Sequence, residues 1–264
     1  MIDALMTDFL LQLSEVPTIT EICNASRKNI DEVQWNREIR KQDDSFTTYI
    51  RRMSGYATAA LDGAVMADDP MREPDTSAMG DVANQGLAIT AAADLEHSTF
   101  MHSPMQVWAR LHSIIDQSDE RGRPRTSDSA QDPLHLGPAI PAELMHERLT
   151  QLAHAITTSE APAVLLSAIV HAELATLRPF THGSYLVARA SVRMILAGKH
   201  VDEKLLSSPE FGMYTLGRSA YVSALRAYSQ GTVEGMTELV TWHARSLDAG
   251  ISGTLVALEG RRTE

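Results

Sequence analysis

A mainly helical fold is predicted, on three observations. Segments of about 12 to 20 residues with apolar positions three and four apart recur along the chain. Alternating apolar and polar runs closed by Asn-Gly or Asp-Gly are almost absent. No period of about 20 to 50 residues repeats, which sets solenoids and propellers aside. The spacing first places helices at about 27–43 and 46–63, up to a break over Asp68–Ser77 that holds Pro70 and Pro74. Helices at about 81–95 and 103–117 follow, up to a second break over Gln117–Pro141. That break holds Gly122, Pro124, Pro133, Gly137, Pro138 and Pro141, and a loop of about 25 residues inside a compact domain is usually functional.

Beyond it, helices are expected at about 141–158, 161–177, 184–198, 213–230 and 232–249. The stretch from Val164 to Leu177 is apolar on nearly every face, which suits a helix at the centre of a bundle. In the 213–230 helix, Tyr214, Tyr221, Leu225 and Tyr228 form a stripe that reads as core packing. Gly231 stands where a C-terminal glycine relieves left-handed strain.

Composition excludes several classes. The 264 residues are long enough to bury a core, and 44% are hydrophobic, which argues for a folded chain. The formal charge is −11, with no block of like charges, so a protein that coats nucleic acid by neutralising phosphates is disfavoured. The single cysteine, Cys23, has no internal disulfide partner, and a cytoplasmic home is expected. The longest strongly apolar stretch, Ala161–Val170, is about half of the roughly 20 residues a bilayer span needs, and Met1–Leu13 lacks a basic leader. No membrane role is expected. Ten histidines form no metal signature: His146-Glu147 has Thr150 where a second ligand would stand, and His97 and His102 do not share a helical face.

The chemistry concentrates directly after the central helix, in Arg178-Pro179-Phe180-Thr181-His182-Gly183-Ser184-Tyr185-Leu186-Val187-Ala188-Arg189. Pro179 ends the helix at Arg178, Gly183 permits a tight turn, and Ser184 is an N-cap candidate for the next helix. A helix N-terminus facing a loop suits an anion, particularly a phosphate.

This segment resembles the motif of the Fic (Fido) family, His-Pro-Phe-x-Asp/Glu-Gly-Asn-Gly-Arg-x-x-Arg. The resemblance extends to His171-Ala172-Glu173-Leu174, to Trp108–His112 with Gly122 and Arg125, and to Tyr221-x-x-Ala224-Leu225, covering about Ser103–Gly250. It implies a Fic-type helical bundle around a central buried helix, with a short β-hairpin-like flap at Gln117–Pro141 on which a target protein lies by main-chain pairing. It also implies transfer of AMP from ATP to a protein hydroxyl, with the loop histidine as base, the loop acid holding Mg²⁺ and the loop backbone cradling phosphates.

The pattern is eroded at the residues that carry this chemistry. Pro179, Phe180, Gly183 and Arg189 match it. Arg178 stands at the base position, His182 at the metal-binding acid, Ser184 at the asparagine, Tyr185 at the second glycine and Leu186 at the first arginine. An arginine with a pKa above about 12 cannot serve as a base near neutral pH. An imidazole does not replace the oxygen ligand that Mg²⁺ demands, so no metal site is expected. Tyr185 either fills the phosphate cradle or turns outward. Arg178, Arg189 and Arg193 together with the helix dipole could hold an anion; alternatively Arg178 pairs with a core carboxylate and the pocket is empty.

Thr58-Ala59-Ala60-Leu61-Asp62-Gly63 resembles the family's inhibitory helix, Ser/Thr-x-x-x-Glu-Gly, with aspartate for glutamate. The resemblance implies a regulatory contact between Asp62 and Arg189 with Thr58 alongside; the plainer reading is that Asp62-Gly63 simply ends a helix. The expected organisation is an N-terminal helical region over 1–95, a degenerate Fic core over 96–250 and a tail over 251–264.

The function this supports is a Fic-fold protein without transfer chemistry, kept as a nucleotide- or anion-binding module or a protein-interaction module. Gly183, Ser184 and Arg189 would hold ATP or AMP without Mg²⁺, and a protein partner would sit at the Gln117–Pro141 flap, where Arg121-Gly122-Arg123-Pro124-Arg125 forms a basic patch. A homo-oligomer stays open. The rival is an adenylyl or phosphoryl transferase with a rearranged site using His182 as base; a third reading is a structural subunit beside an active homologue.

Overall fold

The computed structural model describes residues 4–75 and 77–261; the first three residues of the expected N-terminal region and the last three of the expected tail lie outside them. The described chain is helical throughout: α1 (Ala4–Ser14), α2 (Pro17–Gln34), α3 (Asp44–Leu61), α4 (Ala78–Phe100), α5 (Pro104–Ile115), α6 (Ala142–Thr158), α7 (Ala163–Leu177), α8 (Ser184–Gly198), α9 (Pro209–Leu216), α10 (Arg218–Ser229) and α11 (Val233–Arg261), with a 3₁₀ turn at Ile39–Lys41.

Local chemistry sets the boundaries. Pro17 opens α2, where its missing N–H costs nothing, and α2 begins well before the helix expected at 27–43. That helix also stops early, because the Asn36 side chain accepts from the backbone N–H groups of Glu38 and Ile39 and turns the chain. Asp43 caps α3 by accepting from Ser45 N, and Ser77 caps α4 by accepting from Gly80 N. The single helix expected over 213–230 is two, because Gly217 takes φ +86° between α9 and α10. Of its tyrosine stripe, Tyr221 and Tyr228 are buried with Leu225, while Tyr214 is 37% exposed. Gly231, at φ +68°, closes α10 by donating to Tyr228 O. α11 continues past the expected end at 249, so the segment expected as a tail is helical as far as Arg261.

The fully apolar helix is α7, and it is the centre of the bundle: α2, α6, α8, α10 and α11 all pack on it. One continuous apolar core runs from Leu10 in α1 to Leu258 in α11, so the N-terminal helices share it with the rest. α3 runs across α4 and reaches α8, which brings the C-terminal end of α3 to the loop between α7 and α8.

The expected β-hairpin flap is not formed; no strand occurs among the described residues. Between α5 and α6 the chain folds as successive turns, because its prolines and glycines cannot sustain a ladder. Two of its backbone donors reach the α7–α8 loop: Arg125 N donates to Pro179 O and Gln131 N to Thr181 O, each at 2.8 Å. No helix among the described residues is long and apolar enough to cross a membrane.

Candidate functional site

The α7–α8 loop is built by two left-handed residues. Arg178 is the C-cap of α7 at φ +45°, an uncommon conformation for a side chain of this size, and Gly183 precedes α8 at φ +68°. Ser184 is not the cap: its hydroxyl donates to Phe180 O at 2.9 Å and accepts from Phe180 N at 3.0 Å, closing the loop on itself. Phe180 stacks on His112 with ring centroids 4.0 Å apart. His112 accepts at Nδ1 from Gly122 N, and burial pushes its pKa below the usual histidine value, against the opposing pull of Asp116.

Arg178, at the position expected for the base, faces a carboxylate from the strap of residues between α5 and α6. Its Nη1 lies 3.4 Å from Asp132 Oδ2, and its Nη2 donates to Gly137 O at 2.8 Å. Tyr185 turns inward; it is 2% exposed and its hydroxyl donates to the other oxygen, Asp132 Oδ1, at 2.8 Å. Asp132 therefore joins the base position to the second glycine position of the motif. Burial works against its charge, but bonds from Gly137 and Leu136 N–H groups, from Tyr185 and the Arg178 charge hold its pKa below the usual carboxylate value. Arg178 pairs with a strap carboxylate, not with one of the core.

The strap is pinned at more points than this. Arg125 is 3% exposed and donates to Leu177 O, Arg178 O, Ser127 O and Ile140 O. It is thus a structural member of the strap, and only Arg121 and Arg123 of the basic patch face solvent. From α10, Arg218 donates to Pro133 O and Arg226 to His135 O.

On the other side, Arg189 is fully buried and meets Asp62, with Nη2 to Oδ2 at 2.8 Å. Arg189 Nε donates to Thr58 Oγ1 at 2.6 Å and Nη2 to Thr58 O at 3.1 Å. Burial opposes the charge of Arg189, but Asp62 and Tyr221 outweigh it and keep the group firmly cationic. Asp62 is also the C-cap of α3, so it both ends a helix and reaches across to α8. Arg193, one turn on, takes no part: it is held by Asp94 at 2.7 Å and Glu210 at 2.9 Å.

These contacts leave a cavity of about 110 Å³ between Asp62, Gln131, Gly183, Ser184 and Tyr185. Ligand pockets run from roughly 300 Å³ upward, so this cavity is smaller than the usual small-molecule site. The acids beside the loop already have partners. His182 is an exposed imidazole, Asp132 is taken by Arg178 and Tyr185, and Asp62 is taken by Arg189. No group of three or more His, Cys, Asp or Glu residues that could hold a metal ion occurs among the described residues.

The all-helical arrangement around a central buried helix has counterparts among solved structures. A Fic family protein from Desulfovibrio desulfuricans G20 matches with TM-score 0.65 and 17% identity, over 91% of this chain and 75% of that one. The fold is Fic-like. Fic-1 (residues 134–508) from C. elegans matches the same Fic-like fold with TM-score 0.56 and 16% identity, over 93% of this chain and 73% of that one. A Fic domain containing signaling protein from Bacteroides thetaiotaomicron VPI-5482 matches with TM-score 0.57 and 12% identity, over 90% of this chain and 98% of that one. No family model matches the sequence, and no curated protein does either. At these identities the likeness fixes the fold, and what a Fic-like fold does here rests on its own side chains.

Sequence reasoning named Arg178, His182, Gly183, Ser184, Arg189, Thr58 and Asp62. The structure brings Thr58, Asp62 and Arg189 into one contact and sets Arg178, Gly183 and Ser184 around the loop, with His182 pointing to solvent. It missed Asp132, because an acid in a turn-rich segment gives no sign of what it will face.

Proposed function

We propose that this protein acts by binding and not by transferring adenylate, with a protein partner engaged at the Gln117–Pro141 strap. The observation that carries the reading is Asp132 holding Arg178 and Tyr185 together over a cavity of about 110 Å³. Transfer to a hydroxyl needs a group that takes its proton, and a guanidinium paired with a carboxylate has no free base form to offer. The phosphate cradle is filled by the phenol ring, and the three arginines that could grip an anion already have carboxylate partners. A strap laid flat on the loop, with Arg121 and Arg123 outward, supports an acidic protein surface as the partner in place of a nucleotide.

Photolabelling with azido-ATP, followed by peptide mapping, tests the closed cleft. No label is expected within residues 178–189, and label on that loop would overturn the reading. Immobilised wild type and the double variant R121E/R123E test the partner. A protein retained by the first and not by the second supports the reading, and equal retention by both contradicts it.

Two observations favour a second reading. The Asp62–Arg189 contact is the kind of pair that restrains transferases of this fold, and His182 is exposed at the loop. Under this reading, release of the pair would uncover transfer with His182 as base, and His182→Ala would remove it.

A further inference from the structure

A second cavity lies at the other end of α3. Its volume is about 370 Å³, inside the range of small-molecule sites, and its walls come from the N-terminal half of α3, the 3₁₀ turn and the segment after α8. Asp62, at the far end of α3, is eleven residues from Arg51, or roughly 16 Å along a helix, so this cavity is separate from the motif loop.

Three cations converge on it. Arg51 is half-buried, and among the described residues its guanidinium makes no hydrogen bond or ion pair. Lys204 is likewise without a partner among them, and Arg40 lies 5.4 Å over the Trp35 ring without a carboxylate. Arg193 also lines the cavity, and its Nη2 is buried with no acceptor. Of the acids present, Asp94 is spent on Arg193 and Asp43 on Ser45 and Arg261, leaving Asp44 alone against three unspent positive groups. The lining as a whole is nearly balanced, with Asp43, Asp44 and Asp94 beside the four bases, and what sets the cavity apart is that Arg51 and Lys204 in it have no internal partner among the described residues.

The wall carrying Lys204 is strained. His200, Leu205 and Ser208 take φ +57°, +56° and +43°, conformations that non-glycine residues adopt at a cost. The segment is held there by Asp202, fully buried, which accepts from Leu206 N at 2.9 Å and Ser207 N at 2.7 Å and is held in turn by Gln34. A backbone kept out of its easy conformations thus places an exposed Lys204 in the wall of the cavity that the unpaired Arg51 also lines.

We propose that this cavity binds the oxyanion group, phosphate or carboxylate, of a small molecule, with Arg51 and Lys204 as its principal contacts. Arginine and lysine around one oxyanion supply charge-assisted hydrogen bonds, and the unspent charge here matches that need.

Calorimetric titration of the full chain with inorganic phosphate and, separately, with succinate, at matched ionic strength, tests this. Saturable binding of one or both is expected, weakened at least about tenfold by Arg51→Gln, the loss of one charge-assisted bond. Because the Arg51 guanidinium has no internal partner, that variant should melt like wild type without anion; Lys204→Gln is the second variant should it not. Preference for phosphate identifies a phosphorylated ligand and preference for succinate a carboxylate, either supporting the proposal. Absence of saturable binding by both anions, binding indifferent to both variants, or binding abolished by Arg178→Gln at the motif loop would overturn it.

Discussion

Asp62 Oδ2 and Arg189 Nη2 meet at 2.8 Å, joining the end of α3 to a fully buried guanidinium in α8. Aspartate is one methylene shorter than the glutamate of the inhibitory pattern, and it reaches Arg189 because α3 ends with Asp62 as its C-cap, directly against α8. The pair is thus a structural bond as well as a candidate restraint.

Asp62→Ala leaves the Arg189 charge buried with only the two Thr58 oxygens and the Tyr221 hydroxyl as partners. Breaking a buried pair from one side costs about 3 to 5 kcal/mol, and the 12% exposure of Asp62 argues for the lower end, near about 3 kcal/mol. Urea unfolding monitored by circular dichroism measures this. A change under about 0.5 kcal/mol, the level of an ordinary surface substitution, would mean the contact contributes nothing.

Tyr185→Phe removes the hydroxyl that tethers Asp132 and leaves the ring in place. The strap should exchange its amide hydrogens faster around Gln131–Gly137, with global stability lowered by about 1 to 2 kcal/mol. The same tether is acid-sensitive. The Asp132 pKa is depressed in the folded state, so its contribution is full above the unfolded value of about 3.9 and is lost as pH falls through the lower folded value. Hydrogen exchange near pH 6 and near pH 3 separates these cases, and a strap that exchanges alike in wild type and Tyr185→Phe would refute the tether.

Arg125→Ala leaves four carbonyl oxygens without their common donor and frees the strap from α7. Limited proteolysis should then cut within 117–141 far faster than in wild type, where the segment lies flat. Equal cleavage rates would show that the other strap contacts suffice.

Two buried histidines set a second acid dependence. His171 and His243 are 0% exposed, and burial depresses both, His243 to about 3. Each binds fewer protons folded than unfolded, so stability is full above about pH 6.5 and falls as pH drops toward the folded values, by up to about 1.4 kcal/mol per unit for each histidine. Melting temperatures from pH 7.5 to 5 should decline, and His243→Gln should flatten the slope. An identical slope in the variant would assign the acid sensitivity elsewhere.

Much of the fold was legible because its signals are local. The continuous apolar run of α7, the Pro179 stop and the Gly183 turn act within a few residues, and the helix expected at 184–198 is α8 itself. The start of α2 and the split at Gly217 were less visible, since one proline or glycine decides each against a continuing apolar pattern. The hairpin flap that the resemblance implied is replaced by turns lying on the α7–α8 loop, and the turn residues alone look alike in either case. What closes the site is a long-range meeting of Asp132 with Arg178 and Tyr185, and spacing in the sequence carries no information about it.

The most direct measurement is intact-mass spectrometry of purified wild type and Asp62→Gly after incubation with Mg²⁺ and ATP. A guanidinium at position 178 and a phenol in the cradle predict no added adenylate on either protein, even with the Arg189 partner removed. One AMP attached covalently to the wild-type chain would contradict the account.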